Sequence, residues 1–551
     1  MSVYGGYSPT FDDRSCWTVP WILRERARTH GDSVYLDAPG TSERYSYAEV
    51  LERAERIAAG LVAAGGEPGD RLLVMAQNSP EVLFAWFGSA CAGMAEVPIN
   101  TAYRGTFLEH QVRTTAPRFA VIDAEFAERF AESAAACATI ERFYLVGDGE
   151  RQARATETLT AAGWTVEPFA ALEDAEPRPL PEVRAQDLGA VFFTSGTTGL
   201  SKGVMMPHAQ LVFFADECVS LTRLTDADAY LSVGPLFHGN AQFLAALPAL
   251  IAGARFVLRE RFSATRWIDW VRESGATVTN FVGVMMDFVW KQPARPDDAD
   301  NELRCVFAAP TASSILDQFR ERFGIEAFVE VFGLTETSMP IMTPYGLQRP
   351  AGACGQVNAE WFDVRLVDPE TDEEVAVGET GELTVRPRKP WTTCMGYYAM
   401  PDKTAEAFRN LWFHTGDGLR RDAEGWFYFV DRLKDAIRRR GENISSYEIE
   451  QAVLERPGVI ECAAIAVAAD VDAGEDEVML FTVCTDGASR EDVHDWCVRR
   501  LPAFALPRYV RLVDELPKTP SGKVRKAELR RLATERGLAA DEVLAPAGGR
   551  S

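Results

Sequence analysis

The sequence predicts an α/β protein, with a large N-terminal region of layered sheets and helices followed by a small α+β unit. Three observations predict it. Helix-period and strand-period segments alternate with short connections through the first part of the chain. A length of 551 residues exceeds what a single hydrophobic core usually fills. After Arg432 the texture changes to a helix–strand–strand–helix–strand run of ordinary domain size.

Ser46-Tyr47-Ala48-Glu49 is a capping-box pattern. Behind it Leu51, Ala54, Ile57, Ala58 and Leu61 recur at helical spacing, and Gly65-Gly66-Glu67-Pro68-Gly69 ends that helix. Arg71 to Met75 reads as a short buried strand. Ser79-Pro80 opens the next helix, with proline at its first position. The apolar stretch Val82 to Ala95, closed by Glu96, is too short to span a bilayer and reads as a buried helix. Phe119 to Asp123 is another strand, and the Pro- and acid-rich Glu173 to Pro181 is a surface connection. Beyond a boundary near Arg432–Lys434 (1–432 and 433–551), Ser446–Leu454 and Glu491–Arg500 read as helices. Val459–Ala468, Val478–Cys484 and Tyr509–Val513 read as strands. The tail, Pro546 to Ser551, is expected to be disordered.

The net charge of −24 argues against nucleic acid as a partner, so any anionic ligand must be held by local basic groups. Ten cysteines lie scattered without a C-x-x-C pair, which signals neither zinc nor a redox motif and suggests a reducing cytoplasm. No signal peptide or transmembrane segment is apparent.

The richest segment is Phe192-Phe193-Thr194-Ser195-Gly196-Thr197-Thr198-Gly199-Leu200-Ser201-Lys202-Gly203. Glycines turn backbone N–H groups inward, hydroxyls add donors and Lys202 adds a cation, the inventory for holding a polyphosphate. The spacing is not that of a Walker A loop. The plain alternative is a flexible surface loop.

Four further segments follow in order. Pro235-Leu236-Phe237-His238-Gly239 carries a histidine that either orients a ligand or is structural. Val331-Phe332-Gly333-Leu334-Thr335-Glu336-Thr337 follows a strand, where open α/β sheets place ligands, and Glu336 suits Mg²⁺ held partly by substrate phosphates. Trp412 to Asp417 puts Asp417 in what reads as a tight glycine turn, with Arg432 downstream; together they suit a ribose or phosphate. Pro517 to Val524 is a Pro/Gly loop that presents Lys523, suited to stabilising developing phosphate charge.

Together these five ordered motifs resemble the AMP-forming acyl-CoA synthetases of the adenylate-forming superfamily, over about residues 20–535. The segment Asp431 to Ser445 looks most like the crotonobetaine/carnitine-CoA ligase branch. The resemblance implies a multi-sheet N-terminal domain with a small mobile C-terminal lid. It implies attack of a carboxylate on the α-phosphate of ATP, release of pyrophosphate, and thiol capture of the acyl-adenylate. Thr194, Ser195, Gly196, Thr197, Thr198, Gly199 and Lys202 would hold the outer phosphates. Thr335 would meet the α-phosphate and Glu336 would bind Mg²⁺. Ala309, Phe332 and Gly333 would border adenine, and Asp417, Phe429 and Arg432 would complete the nucleoside site. Lys523 would bridge the α-phosphate and the acyl carboxylate.

After the lid turns about Lys434, Arg438, Gly441 and Glu442 would line the channel for the thiol of CoA. Arg438, Arg439 and Arg440 either meet CoA phosphates or form a solvated basic turn. His238, Asn240, Gly283, Met285 and Ser338 would contribute to the acyl pocket, whose mixed lining suits a small or medium acid with some polar content. Three departures from the family pattern remove no catalytic group: Phe332 where tyrosine is common, Ala309 where glycine is frequent, and Gly283 where many relatives carry proline. The expected activity is an ATP- and Mg²⁺-dependent acid–CoA ligase. The rivals are an adenylating enzyme that passes the acid, or an anion such as nitrite in a diazotisation, to a carrier protein or amine, and an idle nucleotide-binding protein. A homodimer is left open.

Overall fold

The computed structural model describes residues 7–194, 201–282, 285–309, 311, 315–433, 437–439, 442–444, 446–468, 476–485, 487–501, 505–519, 522–536 and 541. Among these the chain divides into two compact units. The larger holds residues 7–194, 201–364 and 385–413; the smaller holds 365–384 and the described residues from 414 onward.

The larger unit contains two seven-stranded sheets. In spatial order the first runs Thr165–Pro168, Arg142–Val146, Phe119–Asp123, Arg71–Met75, Ala95–Pro98, Leu188–Thr194 and Lys202–Pro207. It is parallel except at its last pair, where Leu188–Thr194 and Lys202–Pro207 form an antiparallel hairpin. The second runs Ala327–Val329, Cys305–Ala309, Val278–Val282, Ala229–Ser232, Arg255–Leu258, Val34–Ala38 and Glu43–Ser46, again parallel except at its final pair. Parallel strands need both faces covered, and the near-continuous apolar strands Leu72–Met75 and Phe119–Ile122 meet that need with their side chains buried.

The capping box forms: the Ser46 hydroxyl accepts from Glu49 N–H and the Glu49 carboxylate accepts from Ser46 N–H, starting the helix Tyr47–Ala63. The strands expected at Arg71–Met75 and Phe119–Asp123 have those bounds. The apolar stretch from Val82 is a buried helix only as far as Cys91; its end turns into the strand Ala95–Pro98, so Glu96 lies inside a sheet.

In the smaller unit Phe413–Arg421 pairs antiparallel with Phe427–Arg432 through Asp417–Arg421. A three-stranded sheet of Val459–Ala468, Asp476–Cys484 and Tyr509–Leu512 carries the helices Ser446–Leu454, Arg490–Arg500 and Lys526–Arg536. Strand alternation explains its two cores: Cys462 and Ala464 face one apolar cluster, Ala463, Ile465 and Val467 the other. The tail Pro546–Ser551 lies outside the described residues.

Candidate active site

The glycine-rich segment connects two antiparallel strands. Thr194 ends Leu188–Thr194, Lys202 begins Lys202–Pro207, and the two residues oppose each other in register. Ser195, Gly196, Thr197, Thr198 and Gly199 lie outside the described residues. Ser201, next to Lys202, is held from the helix Thr106–Thr115: its carbonyl lies 2.7 Å from His110 Nε2, and its hydroxyl accepts from Gln111 at 3.3 Å.

The second motif is a hairpin turn. Val331–Leu334 and Ser338–Met342 pair antiparallel, and Thr337 N–H donates to the Leu334 carbonyl at 3.1 Å, which puts Thr335 and Glu336 at the two central positions. Ser338 closes the turn in the left-handed region at φ 58°. Gly333 is required by close approach, because a Cβ there would sit 2.3 Å from the Ser338 carbonyl oxygen. Two side chains of the buried helix His208–Thr222 fix the turn from below. Gln210 donates to the Thr335 carbonyl at 2.8 Å, and the Glu217 carboxylate accepts from Met339 N–H at 3.2 Å. Seven residues apart, both project from one face of the helix.

Lys202 and Glu336 are brought together through a residue outside the five motifs. The Lys202 ammonium donates to the Tyr397 hydroxyl at 3.1 Å, and that hydroxyl donates to Glu336 Oε1 at 3.0 Å. Burial, then the adjacent Glu336 carboxylate, pushes the Tyr397 hydroxyl well up, so it stays a donor.

On the second sheet, His238 precedes the short helix Gly239–Ala241, which runs into a π-helical stretch, Gln242–Ala246. Asn240 Oδ1 accepts from Asn280 Nδ2 at 2.8 Å, joining this segment to the strand Val278–Val282. Met285 opens the helix Met285–Trp290; Gly283, between strand and helix, lies outside the described residues. Ala309 ends the neighbouring strand Cys305–Ala309, and Phe332 lies in Val331–Leu334.

In the smaller unit the reading of Asp417 as a turn residue is corrected: it lies within the strand Phe413–Arg421. What looked like a turn is a local irregularity, with Gly416 at φ 72° and a register shift between Gly418 and Leu419. Asp417 is 1% exposed and opposes Arg432 in register, with Arg432 Nε 3.1 Å from its Oδ1. The strand entry is pinned by Glu382, which accepts from Gly416 N–H at 3.0 Å and lies 2.9 Å from His414 Nδ1. Phe429 meets the Tyr447 ring edge-on at 5.7 Å. Next to Lys523, Gly522 N–H donates to the Thr519 carbonyl at 2.8 Å, and Lys518 bridges to Val524. Lys434 and Gly441 lie outside the described residues; Arg438 and Glu442 fall on the paired strands Ile437–Arg439 and Glu442–Ile444.

The chain matches the AMP-binding enzyme family over residues 23–398 and the AMP-binding enzyme C-terminal domain over residues 448–523. The chain belongs to this family. Its relatives include the crotonobetaine/carnitine–CoA ligase of Salmonella paratyphi B, 31% identical over 525 residues that cover 92% of this chain and 97% of that protein. Among solved structures, ATP-bound MatB from Rhodopseudomonas palustris matches with a TM-score of 0.80 at 27% identity, over 94% of this chain and 99% of that one. An anthranilate CoA ligase, AuaEII, in complex with anthranoyl-AMP matches in fold, with a TM-score of 0.83 at 22% identity over 94% and 98%. The α/β architecture with a separate small C-terminal domain is that of the adenylate-forming enzymes.

In this AMP-binding enzyme no group of three or more metal-ligating side chains occurs among the described residues. The donor set still fits Mg²⁺, which uses one or two carboxylates together with phosphates and waters. Glu336, whose Oε1 accepts from Tyr397, would be that carboxylate. Among the described residues no helix is long and apolar enough to cross a membrane.

Sequence reasoning missed Tyr397, Gln210 and the pairing of Glu96 with Gln242, a residue it places in the acyl-pocket wall. Tyr397 had one signal, a Gly-Tyr-Tyr run just before Pro401. Glu96 had another: a carboxylate set directly after a long apolar stretch.

Proposed function

We propose a residue-level account of this protein as an ATP-dependent acid–CoA ligase. It activates a carboxylate as acyl-adenylate with release of pyrophosphate, then transfers the acyl group to CoA with release of AMP. The observation that carries the account is the chain Lys202–Tyr397–Glu336, which holds a phosphate-seeking cation and a metal-seeking carboxylate on either side of one hydroxyl.

Lys202, with Thr194 and the segment Ser195 to Gly199, holds the β- and γ-phosphates and neutralises the leaving pyrophosphate. Thr335 donates to the α-phosphate, where the attacking carboxylate adds charge. Glu336 would hold Mg²⁺ together with the phosphates, and the bound ion would add neutralisation of that charge. Ala309, Phe332 and Gly333 border adenine; Asp417, with Phe429 and Arg432, takes the ribose hydroxyls as a charged acceptor. Lys523 stabilises the α-phosphate during adenylation. The lid, residues 433–551, then turns about Lys434 and replaces it with the stretch Arg438 to Glu442 for thiol attack, which separates two reactions with different needs. Residues 1–432 form the nucleotide- and acyl-binding domain.

CoA as acceptor is favoured over a carrier protein or amine because the crotonobetaine/carnitine–CoA ligases match along 97% of their length. The acyl pocket, with His238, Asn240, Gly283, Met285 and Ser338, takes a small or medium acid with some polar content; the Asn280 amide bonded to Asn240 supports the polar share of that lining. The setting proposed is cytoplasmic.

The test is acid-dependent pyrophosphate release from ATP across a panel that includes crotonobetaine, carnitine, anthranilate and short-chain acids, with and without CoA. A thioester product is expected. Pyrophosphate release without thioester, until an amine or carrier protein is added, would replace CoA as the acceptor. No release with any acid would overturn the ligase reading.

A further inference from the structure

Tyr397 is fixed as firmly as either residue it joins. It is 3% exposed and belongs to the segment Cys394–Tyr398, whose backbone is laced to both sides of the site. On one side Met395 N–H donates to the Met205 carbonyl and Met205 N–H to the Gly396 carbonyl, each at 2.9 Å, and Tyr398 N–H donates to the Gly203 carbonyl at 2.7 Å. On the other side Cys394 N–H donates to the Glu336 carbonyl at 2.9 Å. Tyr397 N–H itself donates to the Thr404 hydroxyl at 2.9 Å. The strap thus ties the strand that starts at Lys202 to the turn that presents Glu336. The Lys202 ammonium also lies 4.1 Å from the centre of the Tyr397 ring, so ring and hydroxyl both hold it.

A lysine and a glutamate directed at one nucleotide face a specific hazard. If they closed into a direct ion pair, that pair would have to break before the cation met phosphate and the carboxylate met metal. A neutral hydroxyl that accepts from one and donates to the other removes the hazard without leaving either charge bare.

We infer that Tyr397 is a positioning residue of the adenylation half-reaction: its hydroxyl holds Lys202 and Glu336 apart and aimed, ready for the outer phosphates of ATP. This rests on the adenylation reading of the same site. It predicts a role in ATP binding and pyrophosphate departure, and none in thiol capture.

Two substitutions separate the ring from the hydroxyl. Tyr397→Phe keeps the ring beneath Lys202 and loses the hydroxyl; Tyr397→Leu loses both. Calorimetric ATP binding, measured without acid, should weaken about tenfold in Tyr397→Phe and further in Tyr397→Leu, the loss expected for one hydrogen bond to a charged group. In turnover, the ATP KM should rise and the adenylation rate fall, while thioester formation from preformed acyl-adenylate stays within about twofold of wild type. Tyr397→Phe that binds ATP as wild type does would overturn the inference. So would equal loss in both half-reactions with a lowered melting temperature, which marks a merely structural tyrosine. Because the binding arm needs no acid, wild-type protein that binds ATP yet adenylates nothing would refute the ligase reading while still deciding the role of Tyr397.

Discussion

Glu96 is fully buried, and the bonds to its two carboxyl oxygens come from the Gln242 amide at 3.2 and 3.1 Å. Burial pushes its carboxyl up to about 8, against an ordinary value of 4.5, with the Gln242 bond opposing part of the rise. Between those values the folded protein keeps a proton that the unfolded chain has released. The stability linked to this group is therefore fully present below about pH 4.5, declines as pH climbs, and is lost once pH passes about 8. Glu96→Gln, which mimics the protonated form, should gain on wild type by up to a few kcal/mol between about pH 5 and pH 8 in urea unfolding. A constant gap across that range would refute a buried titrating carboxyl. Asp417, by contrast, faces Arg432, and in the proposed account it accepts from the ribose. Asp417→Asn should raise the ATP KM by about tenfold, the effect of exchanging a charged for a neutral acceptor, and leave the KM for the acid near wild type. A shift in the acid KM alone would move Asp417 out of the ribose site. Residues of this kind differ in legibility. Lys202, Glu336 and Asp417 stand in dense motifs that name them. Tyr397 meets partners 195 and 61 residues away in sequence, and no local pattern encodes such contacts.

Elements place these side chains. The turn carrying Thr335 and Glu336 has little local stability of its own, since Ser338 holds a left-handed conformation at a cost of about 1 kcal/mol or more. Helix His208–Thr222 offsets that cost by offering Gln210 to the Thr335 carbonyl and Glu217 to Met339 N–H and to the Asn358 amide at 3.1 Å. Glu217→Ala should leave those buried donors unmet and destabilise the protein by about 1–3 kcal/mol, while Glu217→Gln keeps an acceptor and should cost less. Denaturant unfolding of both variants checks the ranking; equal stability of wild type and Glu217→Ala would sink it. Local chemistry made several elements legible, including the capping box at Ser46 and the strands Arg71–Met75 and Phe119–Asp123. It misplaced Asp417, because a glycine of positive φ signals a turn in sequence, whereas pairing with Phe427–Arg432 extends the strand through it. It also read Val82–Ala95 as one helix, since a continuous apolar run suits a buried helix and a buried parallel strand alike.

At the scale of the whole molecule, the residues with proposed roles fall in two units. Lys202, Thr335, Glu336 and Tyr397 belong to the larger, Asp417, Arg432 and Lys523 to the smaller. On the two-step account Lys523→Ala should lower adenylation by about a hundredfold or more, the scale of one lost transition-state cation, and leave thioester formation from supplied acyl-adenylate nearly intact. Single-turnover assays of the two halves check this, and equal loss in both would contradict a lysine used in only one of them. The sequence by itself determined the class of chemistry. Phosphate cradles and ribose acceptors are built from short runs of glycine, hydroxyl and charge, and order along the chain was enough to identify the family. Only the tertiary structure decided how these groups are held. The hydroxyl between Lys202 and Glu336, the amide beneath Thr335 and the burial of Glu96 each depend on strands and helices packing from distant parts of the chain. Their energies come from desolvation and hydrogen-bond geometry, which exist only once the fold has closed around them.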